Sequence, residues 1–388
     1  MPTFANRVAG LGTTIFSEIN DLALRHNAIN LGQGRPDFDG PHEIIQAAAE
    51  AMLSGKANQY PPGMGILPLR RNIAHHVKAF YDLEIDPDTS VCVTNGAAEG
   101  VYSAIMSVVN PGDEVILIEP YFDTYLPIIE WAGGIPVYVP MRPPEWTLDP
   151  DELRAAFNDK TRVIILNTPH NPTGRVYTHE ELTLIAELCQ QYDVIVIADE
   201  VYEHLTYAAV RHIPIATLPG MFDRTITVSS AAKTFSVTGW KVGWTYGHPD
   251  LITGVWRIHQ NVTFALNHPG QVGVAHALTM NGSYYEELQA MYTAKRDLLL
   301  SGLQQAGLKA LAPEGAFYIM ADFSEVFAGD DVAFTKHLIR DIGVACIPPS
   351  AFFSEPNKAI MRQYVRFTYC KTDDILQQAI QNMLKLRG

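Results

Sequence analysis

From about residue 42 to residue 290, helical spacings alternate with short β-branched runs, a pattern that predicts a helix-covered, mainly parallel sheet. The runs are VCVTN at 91–95, EVILIE at 114–119, IPVYVP at 135–140, RVIILN at 162–167, VIVIAD at 194–199, TITVSS at 225–230 and KVGWTYG at 241–247. Several are apolar almost without a break, as strands buried on both faces are. The last two stand too close together for a helical crossover, which predicts an antiparallel final strand or an unusual connection. After residue 290 the pattern changes to a long helix (YEELQAMYTAKRDLLLSGLQQAG), short strands in AFYIMAD, VACIPP and YVRFTYC, and a closing helix. The expectation is an α/β fold of two domains. A large domain spans 42–290, and residues 1–41 and 291–388 build a smaller α+β one.

Composition narrows the function more than the fold. The 388 residues exceed one ordinary core, and 47% hydrophobic with 18% charged residues is the make-up of a globular enzyme. A formal charge of −14 disfavours nucleic acids and anionic membranes as partners, since both need a concentrated cationic surface. Cys92, Cys189, Cys346 and Cys370 form no C-x-x-C pair, so neither zinc nor a redox dithiol is expected, and no metal is assigned. The opening MPTFANRVAGLGTTIF has no basic segment followed by an apolar core, and no run is long enough to span a bilayer; a cytoplasmic protein is expected.

The chemistry gathers at predicted strand ends, where open α/β sheets bind ligands. Lys233, in SSAAKTFSVTGWKVGW, follows a strand among small and hydroxyl side chains. An isolated lysine is nearly always solvated, but Ser230 and Lys241 flank this one as ligands for a phosphate whose cofactor is tethered to it. Such a lysine forms a Schiff base and then shuttles a proton. Asp199 and Tyr202 end the VIVIAD run; the carboxylate either caps the next helix or stabilises a protonated pyridine nitrogen, the electron sink of pyridoxal phosphate (PLP). Tyr202 then donates to the ring oxygen. In the turn TPHNPTG, Asn171 offers an amide to the cofactor oxygen and a substrate carboxylate, while His170 is a structural loop residue. Gly96, Ala97 and Ala98 open a helix where backbone N–H groups can approach a phosphate. Phe122 can stack on a ring or serve as core.

In chain order, GAAEG, EPYFDTY, NTPHNPTG, ADEVYEH, SSAAKTFSVTGWKVGW and YVRFTY resemble the fold-type I, class I/II PLP-dependent aminotransferases over essentially the whole chain. The opening LGTTIFSEI with INLGQGRPDFDGP resembles the kynurenine, glutamine–phenylpyruvate and bacterial methionine aminotransferase branch, and actinobacterial N-succinyldiaminopimelate aminotransferases share it. The resemblance implies Lys233 on the cofactor aldehyde, Asp199 on the pyridine nitrogen, Tyr202 and Asn171 on the ring oxygen, and Phe122 on the ring face. It places the phosphate on Gly96, Ala97, Ala98, Ser230 and Lys241, with Tyr60 reaching it from the other subunit of a homodimer. Arg366 grips the substrate α-carboxylate and Gly34 passes close beneath it.

Two positions depart from the pattern. Arg35 stands where the branch has phenylalanine, so it either turns to solvent or pairs with Asp37 or Asp39 and contributes little, or it reaches a substrate side chain. Ala265 follows Phe264 where some kynurenine enzymes have histidine, and no arginine lies between His259 and Gln271 to read a side-chain carboxylate. The implied reaction is ping-pong transamination between a neutral or aromatic L-amino acid (methionine, glutamine, phenylalanine or kynurenine class) and a 2-oxo acid. N-succinyldiaminopimelate transamination and cysteine-conjugate β-elimination are the alternatives on the same scaffold. A PLP-responsive transcription regulator would need a DNA-binding module, which the sequence does not display.

Overall fold

A computed structural model describes residues 4–9, 11–208 and 210–387; the parts of the two expected domains at 1–3, 10, 209 and 388 lie outside the described residues. Among the described residues, seven strands form the main sheet: β1 Val91–Asn95, β2 Glu114–Glu119, β3 Ile135–Pro140, β4 Thr161–Asn167, β5 Ile195–Asp199, β6 Thr225–Ser230 and β7 Val242–Gly247. Their spatial order is β1-β7-β6-β5-β4-β2-β3. All neighbours run parallel except β7, which is antiparallel to both β1 and β6. The cause is the short β6–β7 connection, in which Ala231–Thr234 and Thr238–Trp240 make only single helical turns. A parallel return needs a dozen residues or more.

The apolar runs conceal a two-residue period that appears only when each side chain is assigned to a face. Val115, Leu117, Val163, Ile165, Ile195 and Ile197 pack on one side of the sheet, with helices α3 (Gly96–Val108) and α5 (Pro249–Val262). Ile116, Ile118, Ile164, Leu166, Val196 and Ala198 pack on the other, with α4 (His179–Gln191). Each Val, Leu or Ile among them taken out of water contributes about 1.5–3 kcal/mol, which makes the sheet the rigid frame of the molecule. Helix α4 starts at a capping box in which Thr178 and Glu181 satisfy each other's backbone N–H.

The C-terminal part carries an antiparallel pair, β8 (Tyr318–Asp322) and β9 (Tyr364–Thr368), with Lys309–Ala310 at the edge of β8. Helices α6 (Gly282–Gln305) and α7 (Asp373–Met383) cover it. A β-carbon on Gly302 would lie 2.3 Å from Ile380, so the bare backbone is what lets α6 and α7 meet. Ile29–Asn30 pairs in parallel with Val344–Ala345, and helix α1 (Ile15–Arg25) packs beside that pair. Helix α2 (Leu67–Tyr81) turns a stripe of Leu69, Ile73, His76 and Val77 inward. All four cysteines are free and buried, and among the described residues no helix is long and apolar enough to cross a membrane.

Candidate active site

The carboxyl ends of β1, β4, β5 and β6 and the start of β7 lie side by side, because Asn95 pairs with Val242, Asn167 with Asp199, and Ser230 with Gly243. The reversal at β7 brings Lys241 back to the edge from which Lys233 departs. A cavity of about 390 Å³ opens there, lined by Gly34, Arg35, Gly96, Ala97, Ala98, Phe122, Asn171, Asp199, Tyr202, Ser230, Lys233 and Lys241. A larger groove of about 740 Å³, beside Trp146, Arg175 and Tyr364, contains none of the residues singled out from the sequence.

One end of the cavity is built for an anion. Helix α3 points its N-terminus into it, with Gly96 at a left-handed φ of 73° and a β-carbon position 3.2 Å from the Lys241 ammonium. Any side chain on Gly96 would crowd that lysine and strain the turn. The Ser230 hydroxyl oxygen accepts from Ala232 N–H at 3.0 Å, which leaves its own proton free to donate. Among the described residues Lys241 forms no ion pair. Oriented N–H groups and an unpaired cation suit a phosphate.

The other end carries a carboxylate and an amine. Asp199 is buried, accepting from Tyr125 Oη at 2.6 Å and Val201 N–H at 3.4 Å, and burial raises its pKa to about 6 against these opposing bonds. Asp199 thus caps the turn after β5 and also faces the cavity. Lys233 Nζ donates to Gly34 O at 3.0 Å and lies 5.7 Å from the Tyr202 ring centroid. Burial lowers its pKa to about 8, and the nearby Arg366 and Lys241 charges push the same way. A sizeable fraction of this amine is therefore neutral, and nucleophilic, near pH 8. Tyr202 Oη and Tyr318 Oη are hydrogen-bonded at 3.0 Å, and Phe122 stands edge-on to Tyr125 at 5.8 Å.

Arg366 lies just behind this wall, fully buried. Nη1 donates to Asn171 Oδ1 at 2.8 Å, Nη2 donates to Gly32 O at 2.7 Å, and the guanidinium sits 4.2 Å from the Tyr318 ring centroid. Its Nε has no partner. Gly34 is constrained by Tyr318, whose hydroxyl would lie 2.0 Å from a β-carbon there. Arg35 is exposed at the cavity rim, and the pairing with Asp37 or Asp39 is not formed; Asp37 instead accepts from Thr372 N–H at 2.7 Å. Neither Arg366 nor Tyr60 lines the cavity, and Tyr60 lies at the surface. It is 80% exposed and packs edge-on against Phe264, itself 59% exposed. His170 is a buried loop residue bonded to Thr173 at 2.8 Å.

Sequence reasoning passed over Tyr125, Asn167, Tyr318 and Phe16. Asn167 ties the site together, donating to Asp199 O at 2.9 Å while its oxygen accepts Asn171 N–H at 2.7 Å. Its place as the polar last residue of RVIILN was an available signal. Tyr125 sits in EPYFDTY beside other aromatics, and Tyr318 and Phe16 in apolar stretches, so nothing local marks them out.

These residues fit a phosphate-bearing pyridine. Among the described residues Asp199 and Lys241 form no ion pair, so the buried carboxylate could hold a ring nitrogen, the depressed amine of Lys233 could take an aldehyde, and the Lys241 ammonium at a helix N-terminus could hold a phosphate. The family model for aminotransferase class I and II matches residues 26–383. The chain is similar to a kynurenine–oxoglutarate transaminase of Dictyostelium discoideum, at 40% identity over 99% of this chain and 96% of that one. The solved N-succinyldiaminopimelate aminotransferase of Mycobacterium tuberculosis superposes with a TM-score of 0.96 at 42% identity, covering 99% of this chain and all of the other. YbdL of Escherichia coli, described as having a methionine aminotransferase function, gives 0.95 at 36% identity with the same coverage. The seven-stranded, mostly parallel sheet, the cavity at its carboxyl edge and these full-length likenesses lead to one conclusion: the chain is a fold-type I enzyme that belongs to the class I and II aminotransferases.

Proposed function

We propose that this transaminase works with PLP in the described cavity, moving an amino group from a neutral or aromatic L-amino acid to a 2-oxo acid by a ping-pong route. The observation that carries this is the meeting of Lys233, Asp199 and the Gly96–Lys241 anion cup in one cavity. PLP supplies an aldehyde that takes up the amino group and a ring that withdraws electrons from the substrate's α-carbon. Asp199 would hold the ring nitrogen protonated, Tyr202 and Asn171 would bond the ring oxygen, and Phe122 would cover the ring. Gly96, Ala97, Ala98, Ser230 and Lys241 would hold the phosphate. Lys233 would act as the general base that moves the substrate's α-proton. Arg366 orients the substrate through its carboxylate, and Gly34 leaves room beside it.

We place the large domain at 42–290 and the smaller one at 1–41 and 291–388 because the sheet and the cup fall within the first span, with helix α6 (Gly282–Gln305) bridging the two. A homodimer sharing its sites accounts for Tyr60 and Phe264, two aromatics left uncovered on one chain.

A second substrate class, amino acids with an acidic or acylated side chain as in N-succinyldiaminopimelate, is favoured by Arg35 standing unpaired at the rim. Half-reactions followed by cofactor absorbance over a panel of amino acids test both. Methionine, glutamine, phenylalanine or kynurenine should react fastest. If acidic or succinylated donors lead instead, and Arg35→Phe lowers the glutamate-to-methionine ratio, the second class holds. Release of pyruvate and ammonia from cysteine conjugates, without transfer to a 2-oxo acid, would indicate β-elimination.

A further inference from the structure

On helix α2, away from the cavity, His76 occupies the inward stripe otherwise made of Leu69, Ile73 and Val77. Its Nε2 lies 2.8 Å from Nε2 of His204, which comes directly after Glu203 in the turn beyond β5. Glu203 Oε2 is 3.9 Å from His204 Nε2 and 4.0 Å from His76 Nε2. All three side chains are buried. We propose that His76, His204 and Glu203 form a binding site for a transition-metal ion of the zinc type.

The triangle itself supplies the first argument. The point equidistant from atoms with sides of 2.8, 3.9 and 4.0 Å lies in their plane about 2.1 Å from each, within the range of zinc bonds, and a tetrahedral ion would part the two nitrogens and draw the carboxylate in by about half an ångström each. Two imidazoles and one carboxylate form a common zinc donor set, with a fourth position left for water. Both rings ligate in their neutral form. Where the two Nε2 atoms face each other, one must donate and the other accept. Metal binding requires the donor ring to move its proton to Nδ1, which frees a lone pair on each Nε2.

Outer contacts orient the carboxylate as they do in metal sites. Tyr81 Oη donates to Glu203 Oε2 at 2.5 Å and Ser229 Oγ donates to Oε1. A carboxylate that has accepted two bonds keeps lone pairs for a cation. Glu200 and its partner His212, 3.0 Å apart, act on Glu203 in opposite directions, the His212 effect being the larger. The way in is short, since the Phe80 ring covers both imidazoles at 4.6 and 4.8 Å and is itself 44% exposed. Glu203 adjoins Tyr202, and its partner Ser229 adjoins Ser230. A bound ion would therefore staple α2 to the two segments that carry cofactor contacts.

The test uses the PLP-loaded enzyme after chelator treatment. Zinc is titrated against a chromophoric chelator, and cobalt(II) is added separately to record its ligand-field absorption. One equivalent of zinc per chain and an intense tetrahedral or five-coordinate cobalt spectrum are expected. Zinc at a hundredfold excess over its Kd should raise Tm by about 3 °C. His76→Gln and His204→Gln should each weaken zinc by more than the roughly 10- to 100-fold that loss of an outer partner costs. The cobalt spectrum requires no variant, so a substitution that fails to fold leaves the proposal testable. Zinc binding unchanged in both variants, or a wild-type cobalt spectrum of six-coordinate type only, would mean that the trio is a hydrogen-bonded polar knot and would overturn the site.

Discussion

Arg366→Lys tests how the substrate is held, and its effect can be worked out from the contacts of the arginine. A guanidinium has five N–H donors. In Arg366 one goes to Asn171 Oδ1 and one to Gly32 O, which leaves three, the unpartnered Nε–H among them, for a carboxylate. A lysine ammonium has three donors at a single point. If two keep the Asn171 and Gly32 bonds, one remains, so at least one of two carboxylate bonds is lost. Hydrogen bonds to charged groups are worth about 1.5–3 kcal/mol, and the half-reaction specificity constant should fall by about 10- to 150-fold for every amino acid tested. The fall should appear in substrate saturation rather than in cofactor loading, because the change leaves Asp199, Lys233 and the Gly96–Lys241 cup as they are. The assay is the absorbance change of the holoenzyme against amino-acid concentration. Borohydride fixation of the cofactor serves as the loading control and thermal unfolding as the folding control. A folded, fully loaded variant with wild-type saturation would refute the assignment and pass the role to another cation.

The other expectations concern the cofactor end and the assembly. Asp199 has a folded pKa raised from 3.8 to about 6. Its charge therefore destabilises the cofactor-free fold above that value, and the cost disappears as pH falls through 6 toward 3.8. At about 1.36 kcal/mol per unit, Asp199→Asn should strengthen the cofactor-free protein by up to about 3 kcal/mol at pH 8 while the loaded variant loses most turnover. Equal urea midpoints for the two proteins at pH 8 would contradict this. The rate at which cofactor-free protein captures PLP should climb with pH and level off above about 8, where Lys233 is neutral. Capture still climbing beyond pH 10, or borohydride placing the cofactor on another lysine, would count against Lys233. Mixing inactive Lys233→Ala chains with Tyr60→Ala chains should restore some activity through heterodimers, and an active monomer in sedimentation would refute the shared site.

The strands were legible because their burial is written in apolar runs, and Lys233, Asp199, Asn171 and Ser230 were legible because each ends or succeeds such a run. A residue just past a strand in an open α/β sheet has few places to go except the carboxyl edge. Local pattern also anticipated the antiparallel β7, since about eleven intervening residues are too few for a crossover helix. What pattern could not contain is any distance between segments remote in the chain. That Tyr125 rather than a neighbouring aromatic bonds Asp199, that Tyr318 forces Gly34 bare, and that Arg35 finds no acid at the rim are consequences of how sheet, α1 and β8–β9 pack. The sharpest case is His76 and His204, 128 residues apart, with no shared motif and no cysteine spacing to suggest a metal. Each alone is one histidine, the first beside His75 in an amphipathic helix and the second beside Glu203 in a turn. Only the docking of α2 against the β5 turn sets their nitrogens face to face, because tertiary packing, unlike periodicity, fixes the separation of side chains that the chain itself leaves free.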